Sequence, residues 1–508
     1  MLSIPTDQDQ PMAAISANQP IPRKEEFPSS YHMKWIVAFL MVYFGLRLLY
    51  FAINISPSVP PDEATHFGVS RIFSNALFLP VNSPETYQYG LVTNIPWLYY
   101  WIMGKLLGLN FFGITDLLFL RLLNLPFAFG TVIFVWRILR LLTDNRLTQI
   151  LLVAAMTNTV MFTFLSASVS YDNLTNLLSA MAIYYLLAFF KCRTGNLLAA
   201  FVLCQLLGCL SKISFLPLSL VLWILFFVHE IKNIRLLPTA LKDYLRFSGK
   251  RGIALSLAIT ICMIFNIQLY GGNYIKYGKL APEVADVFPI EVAMKNHLAA
   301  RNMIYTLYKN RQISYAKASE MVSHISHPAT RTDTMFLIQD YARRVYYGEK
   351  LLSPWEYLVP WGQRILESVF GIMGHRNMTN QGFTLMPFVV LLALTAVSIV
   401  IRWRPRDFAS LPTYLMIIAG FYAFFLMYFV NYATYKQFES FQLALQGRYI
   451  FPVIGPLYVL MSYYLMRLIK GRYAEQAVAV AVTIIFIVSD LPYFLIHATP
   501  EWFSITLR

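Results

Sequence analysis

The chain has 508 residues, of which 57% are hydrophobic and only 13% charged, with a mean hydropathy of +0.53. Soluble domains carry about a quarter charged residues, so this composition excludes an ordinary soluble enzyme and points to an all-α polytopic membrane protein. Net charge is +15, from 41 Lys and Arg against 26 Asp and Glu. In so apolar a chain the cations set membrane orientation, and no nucleic-acid partner is expected.

Residues 1–34 are polar and lack an apolar core ending in a small-residue cleavage site, so they read as a disordered cytoplasmic tail rather than a signal peptide. Runs long enough to cross a bilayer follow near 35–55, 117–142, 147–167, 174–190, 197–211, 213–229, 252–271, 383–402, 410–431, 449–468 and 476–497. That predicts about eleven spans, with a tight hairpin at Ser211-Lys212. Four cysteines (Cys192, Cys204, Cys209, Cys262) lie in or beside these runs without metal-ligand spacing.

With eleven spans the basic clusters share one face. They are Arg23, Lys24 and Lys34; Arg137, Arg140 and Arg146; Lys191 and Arg193; Lys232, Arg235, Lys242, Arg246, Lys250 and Arg251; Arg402, Arg404 and Arg406; and Arg467, Lys470 and Arg472. The positive-inside rule then places the N-terminus in the cytoplasm and the C-terminus outside. The domain plan is a tail (1–34), a first transmembrane module (35–271), an outer segment (272–381), a second transmembrane module (382–498) and an outer tail (499–508). A first outer loop, 54–115, carries Trp97-Leu98-Tyr99-Tyr100-Trp101, whose aromatics suit the membrane surface. The outer segment shows helical spacing over Ile290–Asn310, Tyr315–Ile325, Thr334–Tyr347 and Trp355–Met373, predicting a small helical subdomain.

The chemistry-bearing residues cluster on the outer face. Pro60-Pro61-Asp62-Glu63-Ala64-Thr65-His66-Phe67 follows the first span, and acids there are costly without a role. The prolines suit a helix entry, the acids its positive end, and Asp62 and His66 then share a helix face. Such a carboxylate can serve as general base; capping accounts for one acid but less well for two and a histidine. Asp172, in Ser170-Tyr171-Asp172, is a second acid, which also suits an N-cap. Lys212 and Arg448 are isolated cations on the outer face, where a lipid phosphate is a natural partner. Gly447 beside Arg448 allows close backbone approach. His375 and Arg376 are weaker candidates of the same kind, and Arg47 suits a structural pair with Asp490. His324 and His327 read better as loop residues than as a metal pair.

These residues resemble the GT-C superfamily of membrane glycosyltransferases. More narrowly, Pro60-Pro61-Asp62-Glu63-x-x-His66-Phe67, Ser170-Tyr171-Asp172, Ser211-Lys212 and Gln446-Gly447-Arg448-Tyr449-x-x-Pro452 are similar to a bacterial membrane-protein family, domain of unknown function 2142, over residues 35 to 470. The resemblance implies inverting transfer of a sugar from a polyprenyl-phosphate carrier to a glycan, lipid or protein acceptor, at the outer face of the cytoplasmic membrane. It implies Asp62 as base with Glu63 or His66 assisting, Asp172 holding acceptor or metal, and Arg448 and Lys212 neutralising the departing phosphate. No acidic triplet marks a metal site, so no cofactor is assigned and a divalent metal stays open. Two other readings remain: a polysaccharide polymerase or ligase consuming lipid-pyrophosphate glycans, and a transporter or flippase, which favours polar groups and broken helices near the bilayer midplane.

Overall fold

A computed structural model describes residues 30–57, 59–231, 249–404, 410–441, 443 and 445–504. The cations Arg23, Lys24, Lys232, Arg235, Lys242, Arg246 and Arg406 lie outside these residues, as do 1–29 of the expected tail and 505–508 of the outer tail.

In chain order, the first module contains α1 (Ser30–Asn54), α2 (Glu63–Asn75), α3 (Leu98–Leu107), α4 (Asp116–Leu142), α5 (Arg146–Thr157), α6 (Val160–Ser166), α7 (Tyr171–Cys192), α8 (Gly195–Ser211), α9 (Phe215–Ile231) and α10 (Gly249–Asn266). The outer segment contains α11 (His297–Lys309), α12 (Tyr315–Ser323), α13 (Pro328–Tyr347) and α14 (Pro354–Val369), followed by an antiparallel hairpin of β1 (Ile372–Met373) and β2 (Asn377–Met378). The last module contains α15 (Met386–Arg402), α16 (Leu411–Phe425), α17 (Ile454–Leu468), α18 (Arg472–Val488) and α19 (Leu491–His497).

Among the described residues, eight helices are long and apolar enough to cross a membrane, and α5 with α6 forms a ninth bent by 61°. The helix α8 is apolar but only 17 residues long, and α9 is apolar over its 17 described residues. Together these cover all eleven expected runs, and the chain is a multi-pass membrane protein. Side-chain placement agrees. In α1, Leu40, Phe44, Leu48 and Phe51 are buried, while Phe39, Val42, Leu46 and Leu49 on other faces are exposed. An exposed apolar stripe of this kind belongs against lipid, not water. The most enclosed spans are those built on α7 and α17, which pack against α4 and α8 and against α5, α15 and α16 respectively.

The structure departs from the sequence reading in three places. The expected run 147–167 breaks at Asn158-Thr159, where the Asn158 and Thr159 side chains bond back to the carbonyls of Ala154 and Ala155. Arg47, ion-paired to Asp490, takes the Thr157 carbonyl at 2.7 Å, so the break leaves that acceptor satisfied. The outer helix expected over Ile290–Asn310 is interrupted by Asn296, whose side chain caps α11. The helix expected to reach Met373 stops at Val369, because Gly371 and the hairpin turn the chain back.

The helices α11–α13 form their own small core from Ala300, Ile304, Ala318, Val322, Ile325 and Ile338. They are fastened to the prolonged end of α16, which runs on to Phe438. There the Tyr305 hydroxyl donates to the Phe438 carbonyl at 2.5 Å, and Lys309 and Arg344 both pair with Glu439.

Candidate active site

The segment Val59–Asp62 enters α2 with Asp62 in the left-handed region, at φ 58° and ψ 10°, and its carboxylate makes no capping bond. Instead the carboxylate meets Arg448, which stands 386 residues away in sequence at the start of the α17 span. The second terminal nitrogen of Arg448 reaches the Asp172 carboxylate at 3.5 Å, and its Nε donates to Gln446 Oε1 at 2.6 Å. Asp172, in the first turn of α7, is also ion-paired with Lys212 at the C-cap of α8. The structure thus brings together Asp62, Arg448, Asp172 and Lys212 as a chain of alternating charge. Each charge has an opposite neighbour, which is what burial of ions demands.

Asp62 is the accessible member, with its side chain 44% exposed, against 4% for Asp172 and 3% for Arg448. Burial acts to raise the Asp62 carboxyl, but the charge and hydrogen bond of Arg448, together with His66 and His375, outweigh it and hold the carboxyl well below the usual carboxylate range. Asp62 therefore stays ionised at neutral pH. It lines a cavity of about 620 Å³ together with His66, Tyr100, Tyr171 and Lys212, under a roof that includes His297 and Asn302 of α11. The Lys212 ammonium lies 4.5 Å from the Tyr171 ring centroid and 5.4 Å from that of Tyr449, within cation–π range.

His66 sits one turn into α2, with its backbone N–H bonded to the Asp62 carbonyl at 2.9 Å. Its Nδ1 lies 2.9 Å from the Tyr100 hydroxyl, and burial, partly opposed by Asp62, lowers the imidazole to about 4. Glu63 faces elsewhere. It is fully buried, bonded to Arg121 Nε at 2.9 Å and to the backbone N–H of Val169 at 2.9 Å. Arg121 also holds the carbonyls of Ala52 and Ile55 at the end of α1. Glu63 is thereby a girder under the motif and does not line the cavity.

His375 reaches the motif from the hairpin: the Asp62 backbone N–H points to its Nε2 at 3.4 Å, and its own N–H bonds the Val59 carbonyl at 3.1 Å. A Cβ at neighbouring Gly374 would collide with that same carbonyl, so the close approach requires glycine. Gly447 is constrained likewise, since a Cβ there would lie 2.6 Å from Ser368 Oγ. Beyond His375 come His327 (ring centroids 5.8 Å apart) and His297, stacked on His327 at 4.7 Å. Arg376 turns away to pair with Glu501. His327 caps α13.

Sequence reasoning missed Arg121, Tyr100, Tyr171 and Tyr449. Arg121 is marked by standing apart from Arg137 and Arg140, which lie toward the other end of the apolar run 117–142; Tyr100 was hidden among aromatics read as a surface belt, and Tyr171 and Tyr449 stood inside motifs read for their charged neighbours. Tyr99 and Tyr100 in fact are buried against α2 and α4.

Among the described residues no three His, Cys, Asp or Glu side chains converge as metal ligands. Both acids of the cluster are already neutralised by Arg448 and Lys212. This donor set does not fit a divalent cation.

No protein-family model matches the chain. No curated protein sequence matches it either. Among solved structures, it is similar to ArnT from Cupriavidus metallidurans in the apo state, at 12% identity and a TM-score of 0.38, covering 86% of this chain and 78% of that one. It is also similar to the same protein bound to undecaprenyl phosphate, at 12% identity and a TM-score of 0.35, covering 93% and 81%. At such scores neither likeness bears on what this chain binds or does.

Proposed function

We propose that this protein is a GT-C-like glycosyltransferase that moves a sugar from a polyprenyl-phosphate carrier to an acceptor hydroxyl at the outer face of the cytoplasmic membrane. The observation that carries this reading is the Asp62–Arg448–Asp172–Lys212 cluster against one wall of a 620 Å³ cavity, at the ends of membrane helices. An ionised, accessible carboxylate and a lysine ammonium in one cavity suit the two needs of glycosyl transfer.

In this reading the acceptor oxygen attacks the anomeric carbon as the bond from that carbon to the phosphate oxygen breaks. The acceptor proton passes to Asp62, and the electron pair leaves with the phosphate. Lys212 stabilises the charge where it develops. A carboxylate held this far below neutrality is a weak base, so proton transfer must accompany bond formation rather than precede it. Arg448 keeps Asp62 ionised and aimed, and Asp172 holds Lys212. Glu63 acts through Arg121 as a positioning residue. The cavity side is the outer face if the basic clusters face the cytoplasm.

Asp62→Asn keeps shape and removes the base. Product formation from a polyprenyl-phosphate sugar, followed in detergent micelles, is expected to fall by about 100-fold or more, with the size-exclusion profile unchanged. Undiminished transfer would overturn the assignment. The break between α5 and α6 favours transport as a second reading. Arg47 nevertheless takes the Thr157 carbonyl freed at that break, and flux through proteoliposomes without transfer is the result that would support it.

A further inference from the structure

We infer that His66 is a neutral hydrogen-bond donor to a phosphate oxygen of the substrate, with its tautomer set by Tyr100. This rests on the lipid-phosphate reading and adds a second ligand to it. The Tyr100 hydroxyl is buried, and its one proton has a single acceptor among the described residues, His66 Nδ1 at 2.9 Å. A buried hydroxyl gives up that bond only at a cost, so the O–H donates to Nδ1 and the ring proton resides on Nε2. The ring is only 2% exposed and is fixed edge-on to Tyr171 with centroids 4.3 Å apart. Its Nε2 has no partner among the described residues, although His66 lines the cavity.

The same wall carries the Lys212 ammonium, one of whose three N–H groups is directed to Asp172. The nearby carboxylate, Asp62, is charge-balanced by Arg448. A ligand entering here meets N–H donors from two side chains and must bring acceptor oxygens, preferably charged ones. Leu91, Ile95 and Ile213 on the cavity wall suit an attached hydrocarbon chain. Burial also keeps the imidazole uncharged at neutral pH, so it donates without adding a third cation. Arg448, occupied by two carboxylates and Gln446, is the clamp rather than the phosphate ligand.

The test titrates farnesyl phosphate, farnesol and inorganic phosphate into the full-length protein in nanodiscs, read by tryptophan fluorescence. His66→Ala is expected to weaken farnesyl phosphate binding about tenfold and leave farnesol unchanged. His66→Gln, which keeps an N–H near the Nε2 position, should stay within about threefold. Inorganic phosphate binding comparably to farnesyl phosphate would show that the site reads a free anion instead of a lipid. Histidine-selective nitrogen NMR of the unaltered protein should report the Nε2–H tautomer for His66, lost in Tyr100→Phe. Equal affinity in His66→Ala, or an Nδ1–H ring in the unaltered protein, overturns the inference and leaves the transferase reading standing. An unaltered protein that binds no farnesyl phosphate removes both. Where a variant does not fold, the tautomer alone decides.

Discussion

Asp62 occupies a left-handed backbone conformation, which costs a residue with a Cβ about 1–2 kcal/mol and which Asp and Asn tolerate best. Its strain is held by the groups on either side, and it turns the carboxylate toward Arg448 and the cavity. One consequence concerns how the residue can be probed. Asn retains both the backbone preference and the side-chain shape, whereas Ala adds strain to the loss of charge. Its neighbour His66 supplies a pH dependence. The folded chain refuses a proton down to about 4, while the unfolded chain accepts one near 6.5. Protons thus favour unfolding as pH falls from about 6.5 to 4, by up to about 3 kcal/mol. His66→Gln should flatten this acid limb of the thermal midpoint measured in detergent; an unchanged limb would mean that other groups produce it. At this scale the sequence was informative about charge and silent about pairing. Asp62, Asp172, Lys212 and Arg448 stand out because ions beside lipid are expensive. That Arg448 joins Asp62 to Asp172 depends on tertiary placement, which no local pattern encodes.

The motif helix α2 is fixed from below and above. Below it, the Glu63–Arg121 pair ties its first turn to the end of α1 and to the loop before α7. Above it, the β1–β2 turn lies against Val59 and Pro61 with room for glycine alone at 374. Gly374→Ala must push that turn away and draw His375 off the Asp62 N–H. We expect a loss of about 1–3 kcal/mol from overpacking, seen as a lower thermal midpoint, together with slower transfer. A variant with wild-type stability and rate would show that the turn is not a brace. Apolar runs revealed the elements because lipid selects composition directly. Their interruptions were less legible: the break after Thr157 contains neither proline nor glycine, and it is sustained by Arg47 and Asp490 from distant helices. The hairpin lay beyond a helical pattern that simply faded at Gly371.

The molecule as a whole joins two membrane modules through a helical subdomain that roofs the cavity. The site draws on both modules and the roof: Asp62, Asp172 and Lys212 from the first, Arg448 from the second, His297 from above. Separating the modules would dismantle it. One dimension of the fold extends this dependence to the lipid. The helix α8, which precedes α9, has 17 residues, or about 26 Å of rise, against about 30 Å of hydrocarbon. The turn between them carries Lys212. Matching so short a helix requires the bilayer to thin locally or the turn at its end to sink below the headgroups. In the transferase reading, that sets Lys212 at the depth where a prenyl phosphate, rather than a water-soluble anion, presents its charge. Transfer should therefore run faster in nanodiscs of short-chain lipid than in those of long-chain lipid, with the protein equally folded in both. A rate indifferent to chain length would uncouple the turn from the membrane. Otherwise, in the transferase reading, bilayer thickness becomes a variable of the reaction, setting how readily donor and lysine meet.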